Sequence, residues 1–221
     1  MRQEERTKGA VREEPQGVST IVYAVRIYGR GGQGVVTAAE LLSMAAFADG
    51  QYAQAFPSFG SERMGAPVTA FCRIAGQAIR TREAVTQPDV VIIQDATLLH
   101  HVELFAGLSA EGMVLINSIR SVEDLGIDDL LRSMPPGHVC VVPASDISLH
   151  HMQRPIANTP LLGAFAALTE IVDLASVQSA IRVKFTGELG RANAAAAQEG
   201  YEYVKTRQGQ GRSGPRYART N

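Results

Sequence analysis

Cysteine is scarce, with only Cys72 and Cys140 in 221 residues. That argues against a disulfide scaffold. On this chain alone it also excludes a four-cysteine iron–sulfur cluster or structural zinc site. Charge is low too, at 19% against the roughly 25% usual in soluble domains. Neither sign dominates: 21 Lys and Arg meet 22 Asp and Glu, for a formal charge of −1. A globally basic nucleic-acid binder is thereby excluded. No apolar run reaches the roughly 18 residues that a transmembrane helix requires. The N-terminus, MRQEERTKGAVREE, is charged where a signal peptide would be apolar. What the chain does have is 45% apolar residues, enough for a real core in a domain of about 100–200 residues with tails. The expectation is a soluble cytoplasmic α/β protein with neither membrane nor nucleic acid as a partner.

Three zones divide the chain. Residues 1–19 carry eight charges of both signs, with Gly9, Pro15 and Gly17 and no apolar period, and read as a flexible arm. Residues 205–221 hold Lys205, Arg207, Arg212, Arg216 and Arg219 without an acid, and read as a flexible basic tail. The folded domain is expected between them, over 20–204.

Inside that domain strands and helices alternate. Residues 20–28 are β-branched and aromatic, as a buried strand should be, and run into GRGGQG at 29–34 and an alanine-rich helical stretch. Residues 68–74 and 77–81 flank Ala75-Gly76 and suggest a hairpin. Residues 51–56, 89–94, 113–117 and 138–142 read as further strands. Helices are expected near 97–106, 125–133, 145–152, 159–172, 175–184 and 187–205. Strands separated in this way imply βαβ units. The expected fold is a Rossmann-like open, mostly parallel sheet with helices on both faces and an antiparallel hairpin insertion.

Gly29-Arg30-Gly31-Gly32-Gln33-Gly34 contains G-x-G-x-x-G after a strand and at the start of a helix. Glycines there let the backbone turn sharply and approach a phosphate, whose charge the helix N-terminus favours. A tight turn that binds nothing is the plainer reading. A nicotinamide or flavin dinucleotide would need an acid about 20 residues on, at the end of the second strand. That strand, 51–56, ends in Phe56-Pro57 instead, and Arg30 sits inside the loop, so an ordinary NAD site is not expected. The second unusual stretch is FPSFGSERMGAP at 56–67, a long aromatic and charged loop of the kind that often carries contacts.

Taken together, G-R-G-G-Q-G and P-S-F-G-S-E-R-M-G-A-P-V-T-A-F-C-R-I resemble the gamma subunits of 2-oxoacid:ferredoxin oxidoreductases. P-D-V-V-I-I-Q-D at 88–95 and N-T-P-L-L-G-A-F at 158–165 strengthen the likeness, which covers about 22–185. The familiar Arg-Gly-Gly of that family is altered here to Arg63-Met64-Gly65. The resemblance implies one subunit of a complex that oxidatively decarboxylates a 2-oxoacid of the pyruvate type with coenzyme A, passing electrons to ferredoxin. Thiamine diphosphate, Mg and iron–sulfur clusters would sit on partner chains: alpha and beta subunits, and a ferredoxin-like delta subunit or domain. This chain, which has no thiamine signature, would assist assembly and contact coenzyme A. Gly29, Gly31, Gly32, Gln33, Gly34, Ser61, Glu62 and Arg63 carry over to that role, with no catalytic or metal-binding residue.

Other residues have plainer readings. Cys72 and Cys140 lie in apolar strands as small hydrophobes. His100-His101 and His150-His151 are adjacent pairs whose side chains should diverge by about 100° on a helix, so no metal pair is expected. Asp95 and Asn158 read as helix caps. A stand-alone nucleotide-binding or regulatory α/β module remains the alternative, with GRGGQG holding a mononucleotide.

Overall fold

The computed structural model describes residues 22–58, 64–81, 83–100 and 102–210. The N-terminal arm at 1–19 and residues 211–221 of the basic tail lie outside them. Six strands form one sheet: β1 (Val22–Arg30), β2 (Tyr52–Pro57), β3 (Pro67–Ala75), β4 (Val90–Ile93), β5 (Met113–Asn117) and β6 (Val139–Val142). Their order across the sheet is β2-β3-β1-β4-β5-β6. β1, β4, β5 and β6 are parallel neighbours, while β3 runs antiparallel to both β1 and β2. The architecture is therefore the expected open, mostly parallel α/β sheet with an antiparallel hairpin, and the hairpin is β2–β3.

The pairing inside that hairpin differs from expectation. Residues 77–81 form no strand, and Ala75-Gly76 is where the chain leaves the sheet. β3 is buried from Ala70 to Ala75, and β1 and β2 occupy its two edges. No edge is left for QAIRT. The strand at 51–56 forms as expected, but β3 stands between it and β1.

β4 and β6 are apolar and buried at every position, as strands covered on both faces must be. The connection from β1 to β2 carries α1 (Val35–Ala48) one way along the sheet. The connections β4–β5 and β5–β6 run the opposite way, so right-handed crossovers place them on the other face. The expected helix at 97–106 is a 3-10 segment, Ala96–His100, with a turn at 104–107. The expected helix at 125–133 is broken at Gly126, which has φ 66°; only α2 (Asp128–Ser133) is α-helical. Beyond β6 come α3 (Ala144–Met152), α4 (Asn158–Thr169), α5 (Leu174–Lys184) and α6 (Gly187–Gln210). α4 and α5 pack on α1, and α6 packs on α3, α4 and α5. α6 continues to Gln210, so Lys205 and Arg207 at the start of the basic segment stand on its last turns. Among the described residues no helix is long and apolar enough to cross a membrane.

Candidate functional site

β1 ends at the Gly-rich turn, and α1 begins on its far side. Gly32 and Gly34 have φ values of 94° and 75°, in the left-handed region that L side chains rarely adopt. Gly34 occupies the cap position of α1, and a Cβ there would stand 2.6 Å from Asn158 Nδ2 on α4. Glycine is thus required at Gly34 by both conformation and space. The Gly31 N–H donates to Ala66 O at 2.9 Å, and the Gly65 N–H donates to Gly31 O at 3.2 Å. These bonds pin the turn to the loop that returns into β3.

Gln33 closes the turn from within. Its Oε1 accepts the Arg30 N–H at 2.7 Å, and its Nε2 donates to Asp95 Oδ2 at 2.8 Å. Arg30 is held by three groups: Asp95 Oδ2 at 3.2 Å, Thr97 Oγ1 at 2.7 Å and Gly65 O at 3.0 Å. Asp95 also accepts the Thr97 N–H at 3.0 Å, so it caps the 3-10 segment as expected. Burial pushes the Asp95 carboxyl upward, but hydrogen bonds from Thr97 and Gln33, with the Arg30 charge, hold it below the usual carboxylate range.

Two cavities flank the turn. The larger, about 490 Å³, is lined by Arg30, Gly32, Val35, Thr37, Met64 and Val68, among others. It opens over the start of α1, where no side chain caps the helix and no acid stands in the first turn. The backbone N–H groups of that first turn have no intrahelical partner, and the helix dipole makes the spot attractive to an anion. Met64, which stands where the resembled family carries glycine, is 87% exposed. Its Sδ and Cε lie 3.3 Å from where a Cβ on Gly32 would stand. The smaller cavity, about 220 Å³, lies among Gln33, Gln94, Asp95, Asn117 and Ser145 at the carboxyl ends of β4 and β5. Asn117 Nδ2 donates to Gln94 O at 2.9 Å and to Ser145 Oγ at 2.8 Å. The Gln94 amide is buried and both its atoms lack a hydrogen-bond partner among the described residues.

The structure therefore gathers Gly29, Gly31, Gly32, Gln33 and Gly34 at one edge of the sheet. Ser61, Glu62 and Arg63 lie outside the described residues. Gln94, Thr97, Asn117 and Ser145 escaped the sequence reading. Their signal was available: Gln94 directly follows one apolar strand and Asn117 ends another, at the edge where open sheets hold ligands. Asn158, expected as a cap, is instead the first residue of α4: Ala157 holds the cap position without a side-chain bond, and Asn158 Oδ1 accepts only the adjacent Thr159 N–H at 2.8 Å. Cys72 and Cys140 are fully buried free thiols, and burial pushes the Cys140 thiol up to about 12.

An open, mostly parallel α/β sheet with a Gly-rich turn beside its central strands defines the class as a Rossmann-like α/β domain. The comparisons narrow it. Residues 24–203 match the pyruvate ferredoxin/flavodoxin oxidoreductase family. The common gamma subunit of the pyruvate/ketoisovalerate oxidoreductases of Pyrococcus furiosus is 48% identical over 80% of this chain and 95% of its own. The pyruvate synthase subunit PorC of Methanocaldococcus jannaschii is 45% identical over 84% of this chain and 98% of its own. The crystal structure of the pyruvate oxidoreductase subunit PORC of Thermotoga maritima superimposes with a TM-score of 0.71 at 39% identity. That alignment covers 82% of this chain and 96% of the other. The chain belongs to the pyruvate ferredoxin/flavodoxin oxidoreductase family, as a gamma-type subunit of a multisubunit 2-oxoacid oxidoreductase.

Proposed function

We propose that this chain serves a thiamine diphosphate-dependent, pyruvate-type 2-oxoacid:ferredoxin oxidoreductase by binding coenzyme A at its Gly-rich turn and by helping the complex assemble. The domain at 20–204 carries that role, and the reactive cofactors belong to alpha, beta and delta partners in the cytoplasm. The observation that carries the reading is the uncapped start of α1 opening into the larger cavity beside Gly32 and Gly34. Unobstructed N–H groups and the positive helix end suit a pyrophosphate. The apolar wall of Val35, Val36 and Val68 suits an uncharged pantetheine arm. Coenzyme A supplies the thiol that accepts the acyl group; this chain's part is to hold and orient it.

A dinucleotide fits less well. The acid that grips an NAD ribose belongs at the end of a strand beside β1, and β3 occupies that place here. Arg30 is engaged by Asp95, which reduces its attraction for a second phosphate. Family membership favours this reading over the stand-alone module.

The test is a coenzyme A titration of oxoacid oxidation by the intact complex carrying Gly32→Val. The Gly32 φ of 94° strains any β-branched residue, and a Cβ presses Met64 toward the cavity. The expected result is a raised Michaelis constant for coenzyme A, by about tenfold, the equivalent of about 1.4 kcal/mol. The maximal rate of thiamine adduct formation should be retained. An unchanged coenzyme A dependence in an equally assembled complex contradicts the proposal. As a control, the isolated chain supplied with iron, sulfide and thiamine diphosphate should reduce no viologen.

A further inference from the structure

Far along the chain from the Gly-rich turn, α3 ends in two adjacent histidines. His151 Nε2 lies 2.7 Å from Glu199 Oε2 on α6. His150 Nδ1 lies 3.6 Å from the same oxygen, beyond an ordinary hydrogen bond. The imidazole centroids are 4.9 Å apart, and the three donor atoms all lie within 4.8 Å of one another. Neighbouring helical side chains normally diverge, which is why the sequence offered no metal pair. Here a residue of a second helix brings them together, because α6 packs across the last turn of α3. None of the three lines either cavity beside the turn.

We propose that His150, His151 and Glu199 form a binding site for a borderline divalent cation, with zinc as its representative. Two imidazole nitrogens and one carboxylate oxygen are a donor set that suits zinc, cobalt or nickel and does not suit calcium or magnesium. Bonds of about 2.0–2.2 Å put the donors of a tetrahedral ion about 3.3 Å apart. The separations of 2.7 and 3.6 Å bracket that value. The third separation closes by rotation of His150, whose side chain is 76% exposed and free to turn. Both histidines stand in the last turn of α3, where the negative end of the helix dipole favours a cation. Three protein donors leave a fourth position to water. The ion would clamp α3 to α6, the helix that carries Lys205 and Arg207 at its far end.

The test uses the full-length chain, purified without an affinity tag. Zinc is titrated in competition with a chromophoric chelator, and cobalt(II) is followed by its visible bands. One equivalent of zinc is expected, with the cobalt spectrum of a four- or five-coordinate nitrogen and oxygen site. His151→Asn and Glu199→Gln should each weaken zinc binding by about tenfold or more. His150→Asn should do the same, and its exposed position leaves packing intact. His100→Asn should change nothing. Zinc should raise the melting temperature of the wild type and raise that of His150→Asn clearly less at the same zinc concentration. The proposal is overturned by absence of a retained equivalent. It is equally overturned if the three site variants bind zinc as the wild type does, or if His100→Asn abolishes binding.

Discussion

Asp95 stands two residues beyond the end of β4, and its carboxylate receives Gln33 from across the turn, a partner 62 positions away in sequence. Arg30 and Thr97 meet the same group, so one side chain joins the end of β1, the turn and the 3-10 segment. The folded-state pKa of Asp95 is depressed. Its contribution to stability is therefore fully present above the ordinary carboxylate range and is lost as pH falls through the depressed value. Asp95→Asn should lower stability by about 1 kcal/mol near neutral pH, a modest figure because the Arg30 side is partly solvated. Paired thermal melts of the two proteins from neutral to acid pH should show the gap shrinking as Asp95 protonates. A gap that stays constant into strong acid would show that the carboxylate charge is not what holds the turn. This network was half legible. GRGGQG announced the turn, and Asp95 was recognisable as a cap. Its link to Gln33 and Arg30 depends on β1 and β4 being neighbours, which no local pattern encodes. Gln94 and Asn117 were hidden because each is a single polar residue at a strand end.

At the scale of elements, α4 and α6 meet through glycines. A Cβ on Gly163 would strike the carbonyl of Ala197, and one on Gly200 would strike the carbonyl of Pro160. Both obstacles are backbone, so neither can swing aside. Gly200→Ala should favour the isolated helix by propensity yet destabilise the fold, because overpacking typically costs about 1–3 kcal/mol. The expected result is a melting temperature lowered by several degrees relative to the wild type. An unchanged melt for Gly200→Ala would mean that α6 shifts freely on α4. The elements themselves were readable where periodicity was strong. β4, β5 and β6 stood out as short apolar runs, and α4 and α5 as amphipathic or apolar turns. Pairing was less readable. Ala75-Gly76 has the composition of a hairpin turn, but hairpin partners compete with long-range ones. The β1 and β2 edges win here, because they bury the whole of β3 from Ala70 onward.

At the scale of the molecule, the parallel half of the sheet and the helices behind it form a platform, and the β2–β3 hairpin closes one side of the larger cavity. Val68 on β3 and Met64 just before it form that wall, facing Val35 and Thr37 of α1. The hairpin insertion thus distinguishes this sheet from an ordinary dinucleotide fold at the point where a cofactor would enter. Family membership was legible from the combined motifs, since a Gly-rich turn and a distinctive second loop together say more than either alone. In the proposed role, the uncapped first turn of α1 receives coenzyme A in the assembled enzyme. Hydrogen–deuterium exchange of residues 29–37 in the intact complex, with and without coenzyme A, tests it directly. Exchange of the α1 first-turn amides should slow with coenzyme A and should not slow with NAD at the same concentration. Unaltered exchange across 29–37 at a coenzyme A concentration that saturates turnover would contradict it.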